Sequence, residues 1–490
     1  MLMWGDQMVE KRFNGEILKK AVDIADKAGA DEVIAKLVEE KKHQIRFSNS
    51  SIDVNKEWKS YHLDVLISKK PSFSIGNKVD TVTLQDPTEK EIEERVPKQV
   101  RHLDELPKIK IYQGMDENTH NSYPSIDLYD RRIEGFNKEA PKIIKNAIDS
   151  AEKAGAEDVS GVLHSGSSKV GLLTSYDNGG EYKSSFCRGT IRAFKDKESS
   201  GQEIVVARDL LDIERRFEKA GQKAGRLAKR CSEADQGDPG KYDLIMSPTV
   251  AANIFGNLLS GANPIMLIAG MSCLKGKKKE TIGPEELTVV DDPLIEEGLK
   301  SRPFDDEGTS SERTSIIDEG EFKGPIHNTS TAKFWRFKNL MKLKFWRKPK
   351  TTSNSELGQM GMTDTEENPR TLLPSPSNYR FSPGSSSLDE MISTSTRPTI
   401  YLTSNWYTRF TNMSEGEFST VPRDAMFLID DGEIKKPVRD IRLKGNLLEM
   451  CKNIEAVGEE HKQVKWWEVD TPTFIPSIKV RDCSFTKASV

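Results

Sequence analysis

Cysteine and histidine are scarce in this chain of 490 residues. The five cysteines are widely scattered and form no C-x-x-C pair, which fits a reducing compartment and argues against a disulfide framework or a zinc ribbon. The seven histidines include no H-E-x-x-H sequence, and no two share a helical face at metal-ligand spacing. A G-x-S-x-G motif, a P-loop and a G-x-G-x-x-G after a strand are also absent. Short motifs therefore indicate no standard catalytic chemistry.

A clean membrane-spanning run is lacking too. Residues 244–274 carry no charge and are long enough to cross a bilayer, but they contain Pro248, Pro264 and several glycines and asparagines. Such polar groups are unfavourable in lipid, so we expect a buried helix followed by a buried loop. The first seventeen residues contain no apolar core of a signal peptide. The sequence therefore predicts a cytoplasmic protein.

Charge of one sign does not dominate the chain. The net charge is −4 although 31% of the residues are charged, so there is no global affinity for nucleic acid and any basic partner surface must be local. The chain is longer than a single hydrophobic core usually accommodates. We therefore expect two or three domains.

An internal repeat organises the first half. AVDIADKAGADEV begins at Ala21 and AIDSAEKAGAEDV begins at Ala147, and each contains a glycine suited to a helix C-terminus, Gly29 or Gly155. A hairpin-like segment, a further strand and a charged helix follow each copy. The repeat predicts a duplicated unit of helices packed on antiparallel strands over residues 10–235, an α+β arrangement.

The second half changes to short strands. After a turn-rich boundary at 236–243, Ser247 and Pro248 read as the start of a helix that runs to about Leu259. From Leu287 onward, apolar runs alternate with turns rich in Gly, Pro and Asp, and LIDDGEI is a strong hairpin signal. We therefore predict a β-rich C-terminal domain over residues 240–490.

Carboxylates are concentrated in and near the sequence RPFDDEG, residues 302–308. Together with Asp291 and Asp292 they could ligate Ca²⁺ or Mg²⁺ through oxygen alone, but the alternating ligand pattern of a calcium loop is missing. The favoured interpretation is hydrogen bonding to backbone N–H groups in tight turns, or pairing with Arg302 and Arg313.

A basic aromatic segment, KFWRFKNLMKLKFWRKPK, covers residues 333–350 and combines eight Lys or Arg with five large aromatic residues. A stretch rich in Ser, Thr, Pro and Gly follows, so residues 333–373 are interpreted as a basic aromatic and flexible insert. Three alternatives stay open: a solvated loop with an aromatic anchor, an anionic membrane surface contact, and the less favoured nucleic-acid contact. The candidate surface-binding residues are Lys333, Trp335, Arg336, Lys338, Lys342, Lys344, Trp346 and Arg347.

Several motifs in order resemble one family. LTVVDDP, SRPFDDEGTSSERTSIIDEGEFKG, STA, PSPSNYRFSPGSSSLDEMI, LIDDGEI, GNLLEMCKNIEAVG and PSIKV are similar to the C-terminal half of TldD/PmbA proteins, the peptidase U62-like modulators of DNA gyrase. The resemblance covers most of residues 240–480, and the duplicated region resembles the family's N-terminal half. The residues that match the central family motif are Arg302, Phe304, Asp305, Asp306, Glu307 and Gly308.

The resemblance has two branches with different implications. The TldD-like branch resembles a zinc peptidase with an H-E-x-x-x-H helix and a later cysteine ligand, whereas the PmbA-like branch, also called TldE, lacks these ligands and partners the first as a heterodimer. Here the equivalent helix reads SPTVAANIFGNLLSGANP, and no histidine lies between His164 and His327. The later cysteine would fall between Gly458 and Pro476, where there is none. The resemblance therefore implies the branch without a zinc motif.

The expected function follows from that branch. It is a non-catalytic PmbA/TldE-like subunit of a TldD-type metallopeptidase complex that acts in proteolysis or peptide processing. We expect no catalytic or cofactor-binding residues and no metal in this chain, and zinc in a TldD-like partner. The expected partners are that catalytic subunit, or a second copy of this chain, and a peptide or unfolded protein substrate. Two alternatives remain: a metallopeptidase in its own right with an unrecognised site, and a binding module that acts through residues 333–350.

Overall fold

The computed structural model describes residues 15–72, 75–118, 120, 122–341, 349–359 and 370–487. We call residues 15–230 the N-terminal half and residues 235–487 the C-terminal half. The described residues of the N-terminal half form α1 Gly15–Lys27, β1 Glu32–Ser48, β2 Ser51–Lys69, β3 Lys78–Gln85, α2 Glu89–His102, a short 3-10 helix Arg131–Glu134, α3 Phe136–Lys153, β4 Asp158–Thr174, β5 Gly179–Phe194, β6 Ser200–Ala207 and α4 Ile213–Arg230.

The two copies of the repeat build one sheet. Each copy runs helix, three strands, helix, and the strand order β3-β2-β1-β4-β5-β6 is antiparallel throughout. The first strands of the two copies meet at the centre, where β1 pairs with β4 from Ile34 opposite Thr174 to Phe47 opposite Gly161. The predicted combination of helices with antiparallel strands is confirmed.

Equivalent glycines end the first helix of each copy. Gly29 and Gly155 adopt positive φ angles of 95° and 114°, a conformation that glycine takes without a steric penalty. The residue after each glycine closes the same hydrogen bond back into the helix, Ala30 to the carbonyl of Ala25 in one copy and Ala156 to that of Ala151 in the other. The helix ends predicted from the repeat are therefore present in both copies.

Helices cover one face of the sheet in two separate clusters. Leu18, Ala21 and Ala25 of α1 pack with Leu37 and other residues of the first copy. The second copy has its own cluster, in which α3 and α4 approach closely because glycines of α4 face Ala147 and Ala151 of α3. The opposite face carries Ile34 and Leu172, which pack against residues of the C-terminal half.

The C-terminal half is rich in strands, as predicted. Its elements are β7 Asp235–Gln236, β8 Gly240–Met246, α5 Pro248–Ser260, α6 Pro264–Ala269, β9 Val289–Asp291, β10 Thr314–Asp318, β11 Glu321–Phe322, α7 Thr329–Met341, β12 Ser355–Gln359, β13 Arg370–Pro374, β14 Tyr379–Phe381, α8 Leu388–Ser393, β15 Thr399–Asn412, β16 Glu417–Asp430, β17 Glu433–Arg439, β18 Ile441–Asn446, α9 Leu447–Lys452, β19 Ile454–Val457, β20 Lys462–Trp466, β21 Val469–Ile475 and β22 Ile478–Lys487.

Two larger sheets and one hairpin organise these strands. The largest sheet has the order β15-β8-β22-β18-β16-β17-β7, with β19 on β22, and β15 also pairs with β16, so five strands form a closed ring. The second sheet has the order β11-β10-β9-β14-β21-β20. β12 pairs with β13 in an antiparallel hairpin. The interpretation of residues 333–373 as a flexible insert is therefore wrong at Ser355–Gln359.

Helix α5 lies in the core between these sheets. Ser247 caps it by accepting a hydrogen bond from the backbone N–H of Val250, and Pro248 is its first residue, as the sequence predicts. Phe255 packs against Phe381 of β14, with 6.2 Å between the ring centroids. The uncharged run continues into a second short helix, α6, where a loop was expected. Within the described residues, no helix is long and apolar enough to cross a membrane.

Candidate functional site

The RPFDDEG sequence forms a buried loop between the two halves of the chain. Phe304 is almost fully buried and belongs to an apolar cluster with Ile34, Leu172 and Leu372. Its ring lies 4.9 Å from that of Tyr123 and 5.5 Å from that of Tyr182, both from the N-terminal half. Burying such an aromatic side chain stabilises the contact by about 2 kcal/mol or more. The motif therefore packs the C-terminal half against the face of the N-terminal sheet that its own helices do not cover.

Asp305 organises the loop itself. One carboxylate oxygen accepts hydrogen bonds from the backbone N–H groups of Glu307 and Thr309, each at 3.0 Å, and the other accepts one from Ser355 N at 3.0 Å. Gly308 closes the same turn with a φ of 74° and donates to the carbonyl of Asp305. Burial raises the pKa of Asp305. Its oxygens serve the backbone of a tight turn, which is the favoured interpretation from the sequence.

Asp306 faces the opposite way and contacts the other half of the chain. Its Oδ2 accepts from Lys36 Nζ of β1 at 2.6 Å and from Leu357 N of β12 at 2.8 Å. Both side chains of the ion pair are largely buried. Burial alone would lower the pKa of Lys36, but the charge of Asp306, its hydrogen bond with Lys36 and the nearby Tyr182 and Glu356 together offset burial and raise the pKa.

Glu307 supports the start of helix α7. Its Oε2 accepts from the backbone N–H of Thr329 at 3.2 Å, and its Oε1 accepts from Ser355 Oγ at 3.2 Å. Burial, followed by the charge of Asp305, raises the pKa of Glu307. A carboxyl group in this position is suited to stabilising the N-terminus of a helix.

Arg302 is buried beside these carboxylates without bonding to them. Its Nε and Nη2 atoms have no hydrogen-bond partner in the part of the chain that the structure describes. The charges of Asp306 and Asp305 nevertheless outweigh the effect of burial and raise its pKa. Arg313, the other predicted partner, lies 3.3 Å from Asp292. Arg302 therefore interacts with Asp306 and Asp305 through its charge.

The carboxylates do not assemble into a metal site. Asp291 accepts from Ser377 N at 2.7 Å, from Ser377 Oγ at 2.9 Å and from Asn354 Nδ2 at 2.5 Å, so its oxygens are occupied. Across the described ranges, no three His, Cys, Asp or Glu side chains converge on one point. The neighbourhood of residues 302–308 is a polar network that joins parts of the fold.

Helix α5 carries amides where zinc chemistry would need ligands. Asn253 donates through Nδ2 to the carbonyl of Glu468 at 2.8 Å, and its Oδ1 accepts from Asn405 Nδ2 at 2.8 Å and Thr408 Oγ1 at 2.5 Å. Asn257 donates back to the carbonyl of Asn253 at 2.8 Å. Protein zinc sites use Cys, His or carboxylate ligands, and α5 contains none of them. The residues at this position do not fit a zinc ion.

An exposed aromatic cluster lies beside α5, and the sequence analysis missed it. Tyr407 is 47% exposed and Trp467 is 56% exposed, with 6.0 Å between their ring centroids. Tyr407 has a φ of 49°, which is rare and strained for a bulky residue, and its N–H donates to Glu468 Oε1 at 2.7 Å. The same Glu468 accepts from Asn253 through its carbonyl. In the sequence, the aromatic runs NWY and KWWE are the features that could have predicted this cluster.

The basic aromatic segment begins inside a helix of the fold. Helix α7 starts at Thr329, before the predicted insert begins, and Lys333 Nζ donates to the carbonyl of Met115 at 2.7 Å. Trp335 packs against the core of the C-terminal half, and its ring meets His327 edge-on at 5.4 Å. Arg336 Nε donates to the carbonyl of Pro349 at 2.6 Å. Lys338 follows on the same helix, and the remaining candidates lie outside the described residues: Lys342, Lys344, Trp346 and Arg347.

Comparison with known proteins identifies the family. Residues 239–487, just over half of the chain, match the PmbA/TldA metallopeptidase C-terminal domain. A protein named metalloprotease from Methanothermobacter thermautotrophicus is 28% identical over 265 residues, which are 54% of this chain and 51% of that protein. The chain thus spans about half the length of the curated relatives it matches.

Two solved structures share the fold. A proposed modulator of a DNA gyrase from Thermotoga maritima superposes with a TM-score of 0.79 at 22% identity, over 96% of this chain and 100% of that one. TldE from Thermococcus kodakarensis superposes with a TM-score of 0.78 at 15% identity, over 96% of this chain and 99% of that one. The domain match together with this shared fold shows that the chain belongs to the PmbA/TldD family.

Proposed function

We propose that this chain is a non-catalytic, PmbA/TldE-like subunit of a TldD-type metallopeptidase complex that acts in proteolysis or peptide processing. The names of its relatives support a link to metallopeptidases, and its fold is that of a TldE structure. Zinc would belong to the catalytic partner. The five cysteines are free thiols, which suits the cytoplasmic location that we propose for the complex.

The observation that supports this proposal most strongly is that the side chain of Asn253 is buried and hydrogen-bonded. The amide is buried and takes part in three hydrogen bonds to side chains or backbone of β15 and of the β20–β21 turn. A buried polar group satisfied in this way stabilises the local fold without a metal. The helix that would present ligands in the catalytic branch is therefore a structural element in this chain.

The exposed aromatic cluster offers a contact surface for the catalytic partner. Arg423 lies over the Trp406 ring, 4.1 Å from its centroid, and Arg409 lies over the Tyr407 ring, 5.4 Å from its centroid, so each of these two rings has one arginine over its face. Exposed Tyr and Trp rings with neighbouring Arg are typical of the energetic centre of protein interfaces. We propose that Tyr407 and Trp467 face the catalytic subunit.

Co-purification tests the proposal. The full chain is co-expressed with a family member that carries the H-E-x-x-x-H helix, and we expect a complex of the two chains. Replacing both Tyr407 and Trp467 by Ser should weaken the complex, whereas Trp58→Ser, which removes an exposed ring from β2, should not. Formation of homodimers alone would support self-association instead. EDTA-sensitive cleavage of an unfolded peptide by the chain on its own would favour an independent peptidase.

A further inference from the structure

A small basic cavity lies where helix α7 meets the N-terminal half. Its volume is about 310 Å³, at the lower end of the range of small-molecule sites. It lies between the start of α7 and the segment that contains Asp116, and three hydrogen bonds join these two parts of the chain. Gln113 N donates to Ser330 Oγ, Ser330 Oγ donates to the carbonyl of Gly114, and Lys333 Nζ donates to that of Met115. The lining residues are Asp116, Asn118, Thr329, Ala332, Lys333, Arg336, Lys350 and Thr351.

The charge of the lining is strongly positive for its size. Lys333, Arg336 and Lys350 contribute three cations against the one carboxylate of Asp116. That carboxylate is already engaged, because it accepts from Asn118 N at 3.1 Å and lies 3.1 Å from His120 Nε2. The lining residues therefore carry a net charge of two positive units, which the Glu117 carboxylate, 3.9 Å from Lys333 Nζ, partly offsets.

The cations keep donors to spare. Lys333 Nζ donates to the carbonyl of Met115 and lies 3.9 Å from Glu117 Oε1. Arg336 Nε donates to the carbonyl of Pro349, and among the described residues no hydrogen bond uses the terminal nitrogens of this guanidinium. Lys350 forms no ion pair within the described ranges. A guanidinium presents its donors in a fork that matches the oxygens of a phosphate.

A buried hydroxyl points to a missing ligand. Thr329 is only 6% exposed and lines the cavity, and its Oγ1 lies close to the Glu307 carboxyl but makes no hydrogen bond of good geometry in the described part of the chain. A buried polar atom without a partner is unfavourable, so most such atoms in folded proteins are satisfied by protein, water or ligand. Thr329 is also the first residue of a thirteen-residue helix, and its backbone N–H already donates to Glu307 Oε2.

We propose that this cavity binds a phosphate monoester group of a small soluble molecule. Such a group carries about −1.5 to −2 charges at neutral pH, which matches the net charge of the lining better than a single carboxylate does. The terminal nitrogens of Arg336 and the ammonium groups of Lys333 and Lys350 bind its oxygens, and Thr329 Oγ1 donates to one of them. This site is separate from α5 and does not depend on the proposed subunit function.

Titration calorimetry of the full chain with inorganic phosphate tests the site. We expect saturable binding of one phosphate per chain, weaker binding of acetate, and weaker phosphate binding as the pH falls and the dianion takes up a proton. Thr329→Val and Arg336→Gln should each weaken binding by about tenfold or more, the loss of one charge-assisted hydrogen bond. Lys338→Gln is the matched control, because Lys338 lies on the same helix but does not line the cavity.

Thermal unfolding separates loss of binding from loss of fold. Thr329→Val removes a hydroxyl that makes no hydrogen bond of good geometry among the described residues, so its melting temperature without phosphate should be close to that of the wild type. Phosphate should then raise the melting temperature of the wild type and not that of the variant. Absence of saturable phosphate binding, or equal weakening by Lys338→Gln and Arg336→Gln, would overturn the proposal.

Sedimentation with phosphatidic acid vesicles distinguishes the source of the phosphate. Phosphate binding without vesicle binding supports a soluble ligand. If the protein binds vesicles and free phosphate competes with that binding, the pocket binds the phosphate of a lipid headgroup. The proposal of a small soluble ligand would then be wrong. A third outcome is vesicle binding that free phosphate does not affect and that Lys338→Gln and Arg336→Gln weaken equally. This outcome would show general attraction to a charged surface, and the pocket proposal would then be wrong.

Discussion

Lys36 and Asp306 form an ion pair that joins the two halves of the chain across a separation of 270 residues, with Nζ and Oδ2 2.6 Å apart. Leu357 N donates to the same oxygen of Asp306, so the pair also fixes β12. The carboxylate of the family motif therefore connects the central strand of the repeat, the motif loop and the hairpin of the C-terminal half.

Removing one member of this pair should destabilise the protein strongly. Lys36→Met removes the hydrogen-bonded counter-ion of the buried Asp306 and leaves only the charge of Arg302 nearby, so we expect a loss of about 3 kcal/mol in the free energy of unfolding. Chemical denaturation of the full chain measures it. The control is Lys277→Met, whose exposed pair with Glu280 should contribute less than about 1 kcal/mol. Equal and small losses in both variants would contradict the structural role of the pair.

Glu307 should make stability fall as the pH rises. Its pKa is raised in the folded chain, so the folded state binds the proton more tightly than the unfolded state, where a glutamate titrates near 4.3. The stabilisation is complete below that value and is lost as the pH rises through the raised folded pKa. Glu307→Gln keeps the shape of the side chain and removes the titration.

The measurement is the free energy of unfolding at pH 5 and at pH 8 for both proteins. We expect the wild type to lose more than about 1 kcal/mol relative to Glu307→Gln over this range, because one pKa unit corresponds to about 1.4 kcal/mol. Titrating groups far from the loop cancel in the comparison, whereas the neighbouring Asp305, whose pKa is also raised, contributes to the difference. Parallel pH profiles of the two proteins would show that Glu307 does not hold its proton in the folded state.

The amide network on α5 should be essential for stability. Asn253→Ala leaves Asn405, Thr408 and the carbonyl of Glu468 without this partner, and we expect a loss of about 2 kcal/mol or more. Asn257→Ala is the matched control on the next turn of the same helix, since it removes one hydrogen bond to a helix carbonyl and should lose less than about 1 kcal/mol. Similar stability of the two variants would remove the main support for a structural role of this helix.

Much of the fold could be predicted because its signals are local. Ser247 and Pro248 mark the start of α5, and Asp431 and Gly432 form the β16–β17 turn with positive φ angles of 48° and 72°. The repeat predicted the first and last helix of each copy and the strands between them, because similar sequence patterns fold alike. The proposed domain bounds at 235 and 240 stay a prediction.

The site could not be predicted in the same way, because its contacts are distant in sequence. Nothing near Asp306 indicates Lys36, and Ser355 lies in a Ser/Thr-rich stretch that resembles a loop until Asp305 accepts its N–H. The start of α7 was missed because Glu307 supports it from outside the helix. Adjacent acidic residues cannot reveal from sequence alone which side each faces.

The zinc content of the full chain, purified without chelator, tests the central claim most directly. Metal analysis is made on the chain alone and on its complex with a family member that carries the H-E-x-x-x-H helix. Because α5 offers amides instead of zinc ligands, we predict no stoichiometric zinc in the chain alone and one zinc for each pair in the complex. One zinc per chain in the protein purified alone would contradict the account.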